Sequence, residues 1–363
     1  MSKRIRILFT ISNFNTAGSG KVLYDLVRYL DKEVFDVAIA CGDRKGTFFK
    51  TIENLGLPVY IFETKTEYRP YLTLLFRILK ISRFYKKHQF DLIHSWQWSS
   101  DWTEVLAAKL IGVKWVYTKK AMGFKSRHWK YKSYLADFII TINDEMHSYF
   151  PKNKNQRLIP LGLDTDYYNP NYFEKRKNPN FQLVTVANLV PVKGIEVLLY
   201  AVSLLKDNSV LLKIVGSSDT DYDLYLKTLC GKLNIKNQVS FISKQLDVRP
   251  FIASADLFVI PTLNKGRKEG MPMALVEAMS MGVPVLGSNI TGINFVLKSF
   301  KELLFEAGNP ESLKEKIISI MALNEVERSQ LGDALRDYCV NHFSIKNFVT
   351  NHEILYQELI RKL

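Results

Sequence analysis

The chain has 363 residues, with 50 Lys+Arg against 36 Asp+Glu and a formal charge of +14. With 47% hydrophobic residues and no compositional bias, it is neither disordered, nor collagen-like, nor a disulfide-built miniprotein. At roughly 150 residues per domain the length predicts about two domains, each large enough to bury a full core. The charge is uneven. Residues 1–175 hold 28 Lys+Arg and 17 Asp+Glu, a net of +11, whereas residues 176–363 hold 22 and 19, a net of +3. The N-terminal half is therefore expected to face something anionic. Cys41, Cys230 and Cys339 are widely spaced and suit a reducing cytoplasm rather than a disulfide or metal framework. The opening apolar run is too short for a signal peptide, and no charge-free apolar stretch is long enough to span a bilayer. Localisation is thus expected to be cytoplasmic, with any membrane association peripheral to the inner face of the cell membrane.

In chain order, residues 5–11 (IRILFTI) read as a strand. Asn15–Lys21 reads as a glycine loop containing Gly18 and Gly20, and Val22, Leu23, Leu26, Val27 and Leu30 then recur at helical spacing. Strands are predicted over 37–40, 59–62 and 91–94, with helices starting at Phe48 and running over 71–87. A Pro-, Asn- and Tyr-rich stretch between Pro160 and Pro179 interrupts this alternation. It restarts with strands over 183–187, 211–215, 239–241, 257–261 and 283–286. Helices are predicted over 195–205, 222–233, 248–255, 273–281, 311–322 and 348–363. The alternation predicts α/β architecture, two parallel-sheet Rossmann-like domains facing each other across a cleft. The expected boundaries are 1–165, 166–340 and 341–363, the last a C-terminal helix packing back towards the N-terminal domain. Open α/β sheets bind ligands beyond the carboxyl ends of their strands.

The most informative segment follows the strand ending at Pro261. Glu269 and Glu277 bracket a glycine, Gly270, and the start of a helix near Met273. Gly270 lets the backbone approach a ligand. The amides of Met271, Met273, Ala274 and Leu275 are candidate anion donors at the helix N-terminus, whereas Pro272 has none. Asp219, Asp221 and Asp223 alternate before a helix and read as a solvated capping run rather than a metal site. Asn15–Lys21 is neither a Walker loop nor a dinucleotide fingerprint, because Val22 follows the lysine and Leu23 replaces the third glycine. The same gap, with no acidic residue at suitable spacing, argues against a dinucleotide-dependent oxidoreductase.

The run EGMPMALVEAMSMGVPVLGSNITG from Glu269 to Gly292 resembles the E-x7-E signature of the GT4-type (group 1) retaining glycosyltransferases, which have the GT-B fold. RLIPLGLD (157–164), LVTVANLVPVKGIEVLLYAVSLL (183–205), LKIVGSSD (212–219, with Gly216) and SADLFVIPT (254–262) are similar to that family's other segments, in its order. The resemblance implies transfer of a sugar from a nucleotide-diphosphate sugar, UDP favoured over GDP, to a glycan or lipid-linked acceptor. Cell-surface polysaccharide or glycolipid synthesis is the implied setting, with no cofactor and no metal. By motif, Glu277 would bind ribose hydroxyls, Glu269 would contact the transferred sugar, and Lys193 would neutralise the departing diphosphate. Asn188 stands where the family usually has an Arg, and Lys265, Arg267 and Lys268 are candidate substitutes. Gly18 and Gly20 occupy the loop that closes over phosphates or acceptor in the family, a simple tight turn being the other reading. His94, ending the strand in DLIHSWQW, reads equally as a cleft residue or a structural histidine. Lys119 and Lys120 stand where family members commonly carry a histidine that touches the donor sugar. Lys120 is the candidate for contacting acceptor or donor phosphate, although an amine of ordinary pKa is a poor general base.

From Val105 to Ala136 there is no acidic residue, and Lys109, Lys114, Lys119, Lys120, Lys125, Arg127, Lys130 and Lys132 are interleaved with Trp115, Phe124, Trp129, Tyr131 and Tyr134. The 71–87 helix adds Arg77, Lys80, Arg83, Lys86 and Lys87 beside Leu72, Leu75 and Phe76. This pattern suits an anionic membrane surface; with no nucleic-acid-binding fold in evidence, nucleic acid is not an expected partner. A non-catalytic anionic-surface or glycan-binding protein that retains the fold is the alternative function.

Overall fold

The structure, a computed structural model, describes residues 3–361 except 16, 47, 121, 124, 125, 151–153, 175–178, 218, 267 and 268. Arg267 and Lys268 of the basic loop, Phe124 and Lys125 of the basic stretch, Thr16 of the glycine segment, Pro151, and residues 175–178 of the Pro-, Asn- and Tyr-rich interruption therefore lie outside the described residues.

The chain divides into two compact units, one formed by residues up to Gly162 together with those from Ile345 onward, the other by Leu163–Ser344. The first holds seven strands: β1 (Ile5–Ile11), β2 (Phe35–Cys41), β3 (Val59–Ile61), β4 (Leu92–Ser95), β5 (Lys114–Lys119), β6 (Phe138–Thr141) and β7 (Gln156–Leu158). The second holds β8 (Phe181–Val186), β9 (Val210–Ser217), β10 (Val239–Ser243), β11 (Leu257–Ile260), β12 (Val285–Ser288) and β13 (Leu304–Phe305). The sheet orders are β3-β2-β1-β4-β5-β6-β7 and β10-β9-β8-β11-β12-β13, with the paired strands parallel throughout. Both units are Rossmann-like, and in each the order reverses beside the first strand. The two switch points therefore fall between β1 and β4 and between β8 and β11.

The strands read as near-continuous apolar runs because helices cover both sheet faces. Ile7, Leu8 and Phe9 in β1, and Leu257, Phe258 and Val259 in β11, are fully buried. The C-terminal helix Ile345–Arg361 belongs to the first unit, where Tyr356 stacks edge-on against Phe9 and Phe35. The predicted elements skip residues 96–180, which supply β5, β6 and β7, and residues 325–343, which form a helix, Glu325–Phe343, that opens with an Asn324/Glu327 capping box. Only Gly332, Leu335, Cys339 and Phe343 on it are buried, so its apolar stripe is narrow. The run predicted as one helix over 71–87 begins with a 3-10 turn, Tyr71–Thr73, before helix Leu74–His88.

Candidate active site

In the second unit, the residues leaving β8 and β11 meet at the switch point. The chain after β8 forms a 3-10 turn, Pro191–Lys193, ended by Gly194 in the left-handed region at φ 64°. A Cβ at 194 would lie 2.2 Å from the Pro261 carbonyl oxygen, so only glycine fits there. The Leu263 amide donates to the Val192 carbonyl at 2.8 Å, tying the turn to the segment after β11. That segment is clamped further along: a Cβ on Gly292 would sit 2.4 Å from the Glu269 carbonyl oxygen. Between these anchors the Lys193 ammonium donates to both oxygens of Glu269, at 2.6 and 2.9 Å. Both side chains are only about one-fifth exposed.

Helix Met273–Ser280 follows, with Glu277 half-buried on it. Its far end is fixed by the Ser280 hydroxyl, which donates to the Tyr168 carbonyl at 2.7 Å, and by Arg336, which donates to the Ser280 carbonyl. Met273 and Ala274 are partly exposed at the first turn, and Met271 and Gly270 precede it. The expectation for Leu275 needs correction: its amide donates to the Pro272 carbonyl at 3.1 Å and its side chain is buried, so it is not a donor for a ligand. Gly216, one residue before the end of β9, lies against the Ala187 backbone, and Asn188 is exposed just beyond β8. Lys265 is exposed on the same loop as Glu269. Thr220 and Asp223 form a capping box, but Asp223 is buried, and Asp219 pairs with Lys227 at 3.2 Å. The run caps a helix, and its third carboxylate is not solvated.

Sequence reasoning missed Arg249, which stacks on Tyr167 at 3.5 Å and is held by both oxygens of Asp247. The Tyr167 hydroxyl is pushed up first by burial, and the charge of Glu277 acts in the same direction. An arginine that opens a five-residue helix, Arg249–Ala253, and a tyrosine 82 positions earlier carry no joint signal in sequence.

In the first unit several expectations change. Gly18 and Gly20 lie inside helix Ala17–Tyr29, not in a loop. His94 is fully buried, with Nδ1 2.6 Å from the Tyr356 hydroxyl and Nε2 2.8 Å from the Thr118 hydroxyl. With no exposed atom and both nitrogens engaged it is a core residue, and burial, then His352 and Lys120, hold its pKa well below the usual histidine range. Lys120 is nearly buried, donates to the Trp96 carbonyl at 2.6 Å and lies over the rings of Trp96 and Trp98. Lys119 and Lys132 are buried as well, so the stretch from 105 to 136 is not one solvated basic face. The Lys119 amine lies 3.8 Å from the Trp129 ring centre, and burial, then Lys132, bring its pKa down to about 7. Lys132 sits among Trp115, Tyr117 and Trp129, and burial lowers it to about 8.

Also missed was Glu104, buried at the β1/β4 switch point. It accepts from the hydroxyls of Thr10 at 2.5 Å, Ser95 at 2.5 Å and Thr64 at 2.8 Å. Burial raises its pKa in spite of these bonds and of Lys132. Thr10 and Ser95 end adjacent strands, but nothing in sequence pairs them with a glutamate on a later helix.

Two α/β units of this strand order define the GT-B class of fold, with a cation and a carboxylate at the switch point of the second. Comparison with known proteins narrows this. The family described as "Glycosyl transferases group 1" matches residues 170–337, and "Glycosyltransferase Family 4" matches residues 16–167. The chain belongs to the group 1, GT4-type glycosyltransferase family. An uncharacterized glycosyltransferase of Methanocaldococcus jannaschii is 30% identical over 63% of this chain and 62% of its own length, less than two thirds of it. UDP-Gal:alpha-D-GlcNAc-diphosphoundecaprenol alpha-1,3-galactosyltransferase of Escherichia coli is 23% identical over 95% of this chain and 94% of that protein. Among solved structures, a glycosyltransferase from Rickettsia africae has a TM-score of 0.88 at 18% identity, covering 99% of this chain and 100% of its own. Anabaena Alr3699/HepE in complex with UDP has a TM-score of 0.83 at 18% identity, covering 98% and 100%. At these identities the structures speak for the fold.

Proposed function

We propose that this chain is a retaining glycosyltransferase that moves a sugar from a nucleotide-diphosphate sugar, UDP preferred over GDP, to a glycan or lipid-linked saccharide in cell-surface polysaccharide or glycolipid synthesis. The observation that carries this reading is the meeting of Lys193 and Glu269 at the β8/β11 switch point, with Glu277 on the helix that follows. Lys193 stabilises the diphosphate as the bond from the sugar's anomeric carbon to the phosphate oxygen breaks. The acceptor hydroxyl forms its bond to that carbon on the same face, and its proton passes to the departing diphosphate oxygen. Glu277 holds the ribose hydroxyls and Glu269 the sugar. This chemistry draws on cationic side chains and a helix end and calls for no metal. The UDP-galactose named for the E. coli relative and the UDP bound to HepE support the choice of base.

The acceptor side supports a membrane role. Among the described residues no helix is long and apolar enough to cross a bilayer. Residues 68–90 carry no acid, and their leading turn exposes Tyr71, Leu72, Leu75 and Phe76, with Leu72 93% exposed. Tyr68 stacks on His128 at 4.8 Å, joining this turn to helix Arg127–Leu135, which exposes Arg127, Lys130, Tyr131 and Tyr134. Exposed apolar side chains among cations fit an anionic lipid surface peripherally bound.

Transfer assays with UDP-, GDP- and ADP-sugars, read by mass spectrometry of the product, test the reading. Lys193→Ala and Glu269→Ala are each expected to lower turnover about a hundredfold or more. Near wild-type transfer by both variants would remove the site assignment. Absence of transfer and of donor hydrolysis with every sugar would favour a non-catalytic glycan- or surface-binding role.

A further inference from the structure

We infer that Glu269 is the resident counter-ion of Lys193, and that a donor's diphosphate takes the lysine only by displacing that carboxylate. The inference rests on the donor reading above. The lysine's charge is already committed: its ammonium reaches both carboxylate oxygens, at 2.6 and 2.9 Å. The pair is not a mobile surface contact. Gly194 presses the lysine's turn onto Pro261, and Gly292 presses on the backbone of Glu269, so neither side chain can follow the other far. Each is about one-fifth exposed, so the attraction is less screened than in a surface pair.

A displaced Glu269 must be satisfied again, because a partly dehydrated carboxylate without donors is unfavourable. A sugar nucleotide supplies both halves of the exchange: its phosphates take Lys193 and its sugar hydroxyls donate to Glu269. A nucleoside diphosphate supplies only the first half and leaves two anions side by side. The pair therefore discriminates the donor from its own spent product, and it returns Lys193 to Glu269 as the product leaves. Glu269 acts on the diphosphate as a positioning residue, in addition to its contact with the sugar.

The test is calorimetric titration of the wild-type protein and of Glu269→Gln, Lys193→Met and the double variant with UDP, GDP and ADP, none of which carries a sugar. Removing the carboxylate is expected to tighten binding of the preferred nucleotide about tenfold, because the lysine no longer has to be released. In the Lys193→Met background the same change is expected to gain less than about threefold, the residue of through-space repulsion. Equal or weaker binding by Glu269→Gln, or an equal gain in both backgrounds, would overturn the counter-ion role while leaving the donor reading standing. Failure of all three nucleotides to bind wild type and Glu269→Gln would overturn the donor reading and this inference with it.

Discussion

Lys119 and Lys132 carry amines into the interior of the first unit, where cation–π contacts only partly replace water. Their pKa values fall from 10.5 to about 7 and about 8. Between about pH 7 and pH 10 the unfolded chain holds protons on these groups that the folded chain has lost, so stability rises with pH across that window. Lys119→Met is expected to stabilise the protein at pH 7 by about 1–2 kcal/mol and to flatten this rise. Urea unfolding at pH 7 and pH 9.5 measures both. The sequence displays the two lysines but not their burial, since a lysine in a basic, aromatic stretch has the same pattern on a surface as in a cage.

The helix Ile345–Arg361 docks on the first unit through His352 and Tyr356, both fully buried. His352 stacks on His94 at 5.6 Å and donates through Nδ1 to the Phe348 carbonyl, 2.7 Å away, with Nε2 buried and without a partner among the described residues. Burial lowers its pKa from 6.5 to about 4. A base with a lowered folded pKa takes up its proton more readily when unfolded, so stability is lost as pH falls from about 6.5 towards 4. The expected loss is about 1 kcal/mol per pH unit. Protection of amides 345–361 in hydrogen exchange is therefore expected to drop between pH 7.5 and pH 5.5, and His352→Leu to diminish the drop. Equal protection at both values in the wild type would contradict this. The helix itself is legible from its apolar spacing. That its one histidine meets another on β4 is not, because 258 residues separate them.

For the whole molecule, the +11 of residues 1–175 divides into an inward and an outward part. Lys119, Lys120 and Lys132 are interior, whereas Arg69, Lys80, Arg83, Arg127 and Lys130 are exposed around an apolar turn. Binding to vesicles containing about a third phosphatidylglycerol is expected, with each well-placed cation contributing about 1 kcal/mol. It should weaken as salt rises from about 50 to 300 mM. Leu72→Glu combined with Phe76→Glu should reduce binding at least tenfold while nucleotide binding stays unchanged. Vesicle co-sedimentation measures this, and equal binding of the double variant would dismiss the surface.

By itself the sequence determined the alternation of strands and helices outside residues 96–180 and 325–343, the two-unit α/β architecture and the family, together with Lys193, Glu269 and Glu277 as the residues to watch. These are local matters: periodicity follows from the pleat and the helical turn, and the motif is contiguous. Tertiary structure alone decided which candidates share a place. It joined Lys193 to Glu269 across 76 positions, engaged Leu275's amide with the Pro272 carbonyl and buried His94. It also built the Glu104 network from residues on separate elements. Burial depends on what packs over a side chain, and that is settled by strand order and crossover rather than by the residue's neighbours in the chain.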